Sequence, residues 1–598
     1  MTSLEDRIRN AAVEAIKDLY SQECPLNTIQ VQKTRKDLSG DFTLVVFPLL
    51  RISRKNPVQT GEDLGGYILA KLQDIEKFEV VKGFLNFTAK ETYWIQFLNN
   101  VLDQSPYGFV KPEKGTAPVL VEYSSPNTNK PLHLGHIRNN LLGYAVSKLL
   151  MATGKPVKMV NLVNDRGIHI CKSMLAWQRW GDGITPEKSG MKGDRLVGDY
   201  YVRFEKEYQH EVTELQSQGL SKEEAAKKAP MLLDAQEMLR KWEAGDSEVT
   251  ALWEMMNQWV YTGFDTTYKS LGIAFDKVYY ESQTYKMGKQ LVLDGLEAGV
   301  LYKKDDSSVW ADLTDSGLDE KLLLRSDGTS VYMTQDLGTA HQRHEEFGFQ
   351  NHVYVVGNEQ NYHFKVLALI LKKLGFDWAE QLHHLSYGMV ELPDGKMKSR
   401  EGKVVDADEL IEEMVENARQ VSKDLGKLDG FEEKEKEEIN YRIAMAALKY
   451  FILKVDPVRT MLFNPKESID FNGNTGPFIQ YTYVRIKSVL RKAEDLKISI
   501  PQTVSLDVQV NEQEIQLIKL VYSFTELLQE AGRQYSPALL ANYLYELVKA
   551  FNQFYQHSTI IKEENSELRG FRLSLASFVA RHIQDGMRIM GIEMPERM

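Results

Sequence analysis

Apolar positions along this chain recur with two periods that alternate. From Val119 the run VLVEYSS is continuous, apolar and β-rich, the loop PNTNKPLHLGH is polar, and IRNNLLGYAVSKLLMATG has the three-to-four-residue spacing of an amphipathic helix ended by Gly154. PVKMVNLVND then supplies a second strand. Strand, loop, helix and strand of this length make a βαβ unit, which predicts a parallel, doubly wound sheet. Similar strands return in NHVYVVGN (351–358) and HHLSYGMVEL (383–392), separated by the helix FKVLALILKKLG.

The flanks read differently. Residues 1–112 mix a helical start with the strand-like runs GDFTLVVFPLL and FEVVKGFLNFTAK and a helical GEDLGGYILAKLQDI, an α+β domain. DQSPYGFVKPEKGTAP (103–118), rich in Pro, Gly and Lys, reads as its linker. Residues 113–430 form the α/β domain, with a charged helical insertion at about 185–256, and residues 431–598 are almost entirely helical.

Composition narrows the class. The chain has 598 residues, a net charge of −11 and two cysteines, Cys24 and Cys171, so neither a disulfide framework nor a Cys-x-x-Cys zinc site is expected. No apolar run reaches the ~18 residues of a membrane span. MTSLEDRIRNAAVEAIKDLY carries acids early and reads as an amphipathic helix rather than a targeting peptide, so a cytoplasmic protein is expected. Residues 441–598 hold 19 Lys and Arg against 17 Asp and Glu (+2), leaving −13 for the rest, which points any polyanion contact toward the helical domain.

The sharpest chemical signal is His133-Leu134-Gly135-His136, where the first loop opens the first helix. Such a string arises by chance about 0.016 times in a chain of this composition. A helix N-terminus at the carboxyl edge of a parallel strand offers free N–H groups to phosphates, Gly135 allows close approach, and imidazoles at i and i+3 share a face. The second signal is Lys396-Met397-Lys398-Ser399-Arg400 in PDGKMKSREGKVV, three cations on a glycine-bearing loop after a late strand, suited to a pyrophosphate leaving group.

Together these motifs resemble the arginyl-tRNA synthetases, a class I aminoacyl-tRNA synthetase family. VEYSSPNTNKPLHLGHIRNNLLG resembles the family's histidine signature, and VYMTQDLGTA, YVVGNEQNYHF and NTGPFIQYTYVRI resemble further segments in the family's order. The resemblance implies a class I Rossmann-type catalytic domain between an additional N-terminal domain and a helical anticodon-binding bundle. It implies activation of L-arginine by ATP with release of pyrophosphate, then transfer to the 3′-terminal adenosine of tRNA(Arg). His133, Gly135, His136, Lys396 and Met397 would bind ATP, while Lys396, Lys398 and Arg400 would hold the pyrophosphate. Asn127 would orient the amino or carboxylate end of arginine, with Glu122 a partner for the amino group. Asp336 and Glu281 match the family's acidic pocket, as a guanidinium's fork of donors requires, and Tyr332 and Gln360 would complete it. Mg2+ is expected only as the counter-ion of ATP, and a monomer without zinc is the expected state.

The loop departs from the family's usual Lys-Met-Ser-Lys-Ser, with Ser399 at the fourth position. Lys130, upstream of the histidines, or Lys398 would supply the missing charge. Asp165-Arg166-Gly167-Ile168-His169 departs where relatives commonly read Asp-Trp-Gly; Arg166 and His169 either touch substrate or repack the strand end. In GPFIQYTYVRIKSVLRKAED, Arg485, Lys487 and Arg491 are the candidates for RNA contact, while core packing is the better account of Phe478 and Tyr481. Competing readings are a glutamyl or glutaminyl enzyme, whose substrates Asp336 and Glu281 would repel or fit poorly, a small-molecule nucleotidylyltransferase, which needs less chain, and a non-catalytic RNA-binding relative, against which the intact motifs argue.

Overall fold

The structure, a computed structural model, describes residues 3–35, 37–393, 405–424 and 430–598, which divide into two compact units. The first unit gathers three stretches far apart in sequence, Met1–Tyr107, Ser488–Ser523 and Lys549–Ala580. Its N-terminal part is an antiparallel sheet of β1 (Val31–Lys33), β2 (Phe42–Val45), β3 (Ile75–Val81) and β4 (Phe84–Ala89), in the order β1-β2-β4-β3. FEVVKGFLNFTAK, which reads as one strand-like run, is a hairpin. Lys82 and Gly83 both take positive φ, the conformation that matches a two-residue turn to the twist of its strands. Trp94, on the helix Glu91–Val101, stacks on Phe42 at 6.0 Å between ring centres, and Tyr522 of the late helix Glu512–Tyr522 meets Trp94 edge-on at 5.4 Å.

The second unit comprises Gly108–Lys487, Phe524–Val548 and Arg581–Met598. At its centre lie β5 (Val119–Glu122), β6 (Val157–Val163), β7 (Lys277–Tyr280), β11 (Asn351–Gly357) and β12 (Leu382–Tyr387), all parallel, in the order β12-β11-β5-β6-β7. This is the doubly wound α/β sheet that the βαβ pattern predicts. The chain winds outward from β5 through β6 to β7, then returns to the other side of β5, so the direction of winding reverses between β5 and β11. A crevice opens at the carboxyl ends of the strands at such a point. Between β7 and β11, the strands β8 (Tyr302–Lys303), β9 (Val309–Ala311) and β10 (Lys321–Leu324) make a small antiparallel sheet. Leu323 and Leu324 share a core with Leu120, Leu337, Ile370 and Leu371.

The run HHLSYGMVEL is not one strand. It breaks at Gly388, where an added Cβ would lie 2.4 Å from the Arg459 backbone, and β13 (Val390–Glu391) leaves the sheet to pair with β14 (Met461–Leu462). The insertion is helical, as its charge pattern predicts, in the helices Pro186–Ser189, Gly193–Ser217, Lys222–Lys228, Pro230–Glu243 and Ser247–Leu271. Among the described residues no helix is long and apolar enough to cross a membrane. Cys24 and Cys171 are both buried, and burial pushes the Cys171 thiol up to about 12.

Candidate active site

The loop after β5 enters the crevice through a constrained turn. Ser124 and Ser125 take φ of 82° and 46°, a left-handed conformation that costs a non-glycine residue about 1 kcal/mol or more. Buried amides compensate: Ser124 N donates to Asn139 Oδ1 at 2.5 Å and Ser125 N to Asn161 Oδ1 at 3.0 Å. The turn delivers exposed Asn127 beside Asn164 at the end of β6, through Asn164 N donating to the Pro126 carbonyl at 2.9 Å. It then leads to Lys130, whose ammonium is pushed down by burial. Gly198 on the helix Gly193–Ser217 lets that helix come down on this loop, since a Cβ there would sit 2.8 Å from Pro131 Cδ.

His133 caps the helix Leu134–Ala152. Its Nδ1 accepts from Gly135 N at 3.1 Å, while His136 Nδ1 accepts from His133 N at 3.2 Å, so the two rings close a reciprocal capping box with centres 3.9 Å apart. Burial, helped by Lys130, lowers His133 to about 3 and pushes His136 well below its ordinary value. Both imidazoles are therefore neutral at physiological pH. With Nδ1 accepting in each, the ring proton sits on Nε2, leaving two N–H donors at the helix start. His133 and Lys130 line a cleft of about 410 Å³, closed on its far side by His169, Tyr201, Arg195, Asp199, Asp406 and Glu409. Arg195 bonds Glu409 at 2.7 Å and approaches Asp199 at 3.5 Å and Asp406 at 3.6 Å.

Carboxylates gather at the other strand ends. Glu281 follows β7 directly, 8% exposed, and burial together with Asp165 and Asp336 pushes its carboxyl up to about 7, against the lowering pull of Arg166. Asp336 comes from the opposite side. The helix Tyr332–Phe347 crosses back to feed β11, so its first turns lie at the carboxyl edge of the sheet. Asp336 Oδ2 meets His363 Nε2 at 2.6 Å. Asp165 braces the floor: its carboxylate accepts from Ser282 N at 2.8 Å, Ser282 Oγ at 2.7 Å and the Tyr261 hydroxyl at 2.8 Å. Tyr332, 74% exposed, and exposed Gln360 stand at the rim. Glu122 is paired with a cation: buried Arg343 pairs with Oε2, and Ser125 Oγ donates to Oε1 at 3.2 Å. His169 Nδ1 lies 3.3 Å from the Tyr201 hydroxyl on the cleft wall.

Lys396, Met397, Lys398, Ser399 and Arg400 lie outside the described residues. The chain on either side of residues 394–404 is anchored to the histidine helix. Leu134 N donates to Val405 O at 3.2 Å and Ala407 N to Leu132 O at 2.9 Å on the downstream side. Upstream, buried Arg138 donates to the Met389 carbonyl at 3.2 Å, and it also reaches the carbonyls of Pro457 (3.1 Å) and Arg459 (2.6 Å) further along the chain. Arg138, Asn139, Asn161 and Gln335 are parts of the site that reading the sequence missed. The signal available was Arg138-Asn139-Asn140, a polar triplet too wide for one solvated face of an otherwise apolar helix.

In the helix Gly476–Asp495, Arg485 lies over the Tyr481 ring at 5.0 Å and Lys487 pairs with Glu596 at 3.1 Å. Tyr483 is buried, its hydroxyl donating to Glu596 at 3.1 Å. Among the described residues no group of three or more His, Cys, Asp or Glu is arranged to hold a metal.

The chain matches known protein families over most of its length. The family model for the catalytic domain of class I tRNA synthetases (R) matches residues 98–464, the DALR anticodon binding domain matches 479–598, and the arginyl tRNA synthetase N terminal domain matches 6–89. The arginine–tRNA ligase of Parabacteroides distasonis is 56% identical over 595 residues, and one from Bacteroides fragilis strain YCH46 is also 56% identical, each covering 100% of both chains. Among solved structures, Thermus thermophilus arginyl-tRNA synthetase shares the fold with a TM-score of 0.79 at 24% identity over 100% of both chains. That of Plasmodium falciparum does so with a TM-score of 0.76 at 20% identity, also over 100% of both chains.

Proposed function

This chain belongs to the arginyl-tRNA synthetases, and on that premise we propose how its residues make arginyl-tRNA. It is an arginine–tRNA ligase: L-arginine is activated by ATP and then joined to tRNA(Arg). The observation that carries the assignment of roles is the reciprocal cap of His133 and His136, two neutral N–H donors at a helix start beside half-buried Lys130.

In the first step a carboxylate oxygen of arginine attacks the α-phosphorus of ATP, and the bond to the β-phosphate oxygen breaks. Negative charge grows on the α-phosphate oxygens and on the departing pyrophosphate. His133 and His136 donate through Nε2 to the former, and the helix N-terminus with Gly135 receives the nucleotide backbone. Lys130 adds a cation at this point, and Lys396, Lys398 and Arg400 neutralise the pyrophosphate, with Met397 against the nucleotide. In the second step a hydroxyl of the 3′-terminal ribose attacks the arginyl carbonyl, the ester forms and AMP leaves. Asn127 orients the α-amino and carboxylate end of arginine. Glu281 and Asp336 take the guanidinium, Tyr332 and Gln360 close over the chain, and Glu122 supports the amino end through Ser125 and Arg343. Mg2+ accompanies ATP as its counter-ion.

Residues 1–112 serve as the accessory domain, 113–430 as the catalytic domain and 431–598 as the anticodon-binding domain, where Arg485, Lys487 and Arg491 meet the RNA backbone. The enzyme works as a cytoplasmic monomer. The test is exchange of labelled pyrophosphate into ATP, run over all twenty amino acids with and without unfractionated tRNA. Exchange with arginine alone, and only when tRNA is present, is the expected result. Exchange with glutamate or glutamine overturns the pocket, and robust exchange without tRNA refutes the coupling.

A further inference from the structure

Arg166 directly follows Asp165 at the carboxyl end of β6, and its guanidinium is held from the outside. Cζ lies 3.9 Å from the ring centre of Tyr285 and 5.6 Å from that of Trp242, and Nη2 donates to Glu243 Oε1 at 2.8 Å. The remaining direction is inward. The Gln335 amide lies between Arg166 Nη1 and Glu281 Oε1, and in the orientation its neighbours demand its oxygen accepts from Arg166 Nη1 at 3.2 Å and its nitrogen donates to Glu281 Oε1 at 2.9 Å. An amide between a guanidinium donor and a carboxylate acceptor has one orientation that satisfies both, so the chain Arg166–Gln335–Glu281 is directional.

We propose that Arg166 is a positioning residue for arginine selection, acting through Gln335 to orient Glu281 without itself touching the substrate. The aromatic faces and Glu243 hold Arg166 in place, so its charge is a fixed part of the pocket. A guanidinium at the edge of a guanidinium-binding site looks like a competitor, yet Arg166 spends its inward donor on Gln335 and leaves the Glu281 carboxylate for the ligand. The charged groups facing Glu281 are Arg166, Asp165 and Asp336, with His363 beyond Asp336 and Glu243 beyond Arg166. Two acids and burial favour protonation of Glu281, and Arg166 is the charged group that opposes it. Without Arg166, a larger fraction of Glu281 is neutral at a given pH, and a neutral carboxyl binds a guanidinium weakly.

The inference rests on the reading of Glu281 as a guanidinium ligand, and the experiment separates the two. Steady-state aminoacylation is measured at pH 6.5 and 8.5 for the parent, R166Q, R166K and E281Q, each checked for an unchanged thermal melt. R166Q is expected to raise the KM for arginine with kcat within about twofold. The KM ratio to the parent is expected to be several-fold larger at pH 6.5 than at pH 8.5, because the loss of Arg166 raises the Glu281 pKa and the lower pH then finds more of it neutral. R166K, which keeps the charge, is expected to remove most of that pH dependence. An equal KM ratio at both pH values, or a loss confined to kcat, overturns the proposal. If E281Q leaves the KM for arginine unchanged, the pocket reading fails; if E281Q raises it while R166Q does not, the pocket stands and the positioning role falls.

Discussion

His133 divides two tasks between its ring nitrogens: Nδ1 caps the helix, and Nε2 is left to donate to phosphate. Asparagine also caps helices well but puts no N–H where Nε2 stands, so the tasks can be separated. H133N is expected to keep the thermal midpoint within about 2 °C while lowering kcat roughly 10²- to 10³-fold, the usual cost of an oxyanion donor. H133A should lose a similar rate and about 1 kcal/mol of stability as well. A fall in midpoint for H133N equal to that for H133A would show that the imidazole is needed structurally. The pH dependence has a definite sign. His133 is neutral in the folded state down to about 3 but charges near 6.5 when unfolded, so its stabilising effect is complete above pH 6.5 and is lost progressively as pH falls from there toward 3. The parent should therefore lose stability on acidification more steeply than H133N. The histidine pair was legible in the sequence because cap, dipole and donors all lie within four residues. Arg166 stood out in the sequence with its role open, and Gln335 did not stand out, because what each does is fixed by a partner on a different strand end or helix, and no local pattern records that meeting.

At the scale of elements, the helix Leu134–Ala152 holds the site together. Its first turn carries the histidines, Asn139 catches the turn at Ser124 and reaches the Val355 carbonyl at 2.7 Å, and Arg138 gathers three carbonyls beside β13 and β14. Gly143 lets it lie against β5, since a Cβ there would fall 2.2 Å from the Tyr123 ring. Arg138 has no carboxylate partner among these contacts, and burial lowers its guanidinium to about 10. R138M would remove three hydrogen bonds and take its donor from the Arg459 carbonyl, while Met389 and Pro457 keep Met461 N and Gly388 N, an expected loss of about 1–3 kcal/mol in denaturant unfolding. Because those carbonyls flank the strands leading to the Lys396 segment and not the acidic pocket, kcat should fall while the KM for arginine stays within about twofold. An unchanged kcat alongside the lost stability would make the clamp purely structural. The same element shows what period can and cannot reveal. β5, β6 and β11 were legible as apolar runs because they are buried on both faces. β7 is four residues long behind a helical insertion, and HHLSYGMVEL reads as one strand although Gly388 divides it, because the close approach of Arg459 that demands a glycine comes from elsewhere in the chain.

For the whole molecule, the composition of the first unit has the largest consequence. Residues 488–523 and 549–580 fold with residues 1–107, and the pairing is intimate. The Tyr522 ring meets Phe42, Tyr93, Trp94 and Phe97 at 5.0–6.4 Å while its hydroxyl bonds Glu5, and Lys519 pairs with Asp41. Asn99 exchanges two hydrogen bonds with the Val504 backbone, at 2.8 and 2.9 Å. No hydrophobic period in either stretch announces a partner some 400 residues away, since each reads as an ordinary amphipathic helix or hairpin whose apolar face could be covered by anything. A chain begun at residue 108 would uncover Tyr522 and its neighbours, at about 1.5–3 kcal/mol for each large apolar side chain, and would leave Lys519 without Asp41. The fragment 108–598 is therefore expected to aggregate or to bind a hydrophobic dye when purified alone, and to melt at least 10 °C below the full chain. Co-expression with the separate fragment 1–107 should restore solubility and aminoacylation, and the two fragments should copurify. A soluble, monomeric 108–598 with an unchanged melt would mean that residues 488–523 and 549–580 are stable without their N-terminal cover, and the first unit would then be an association of parts that fold separately.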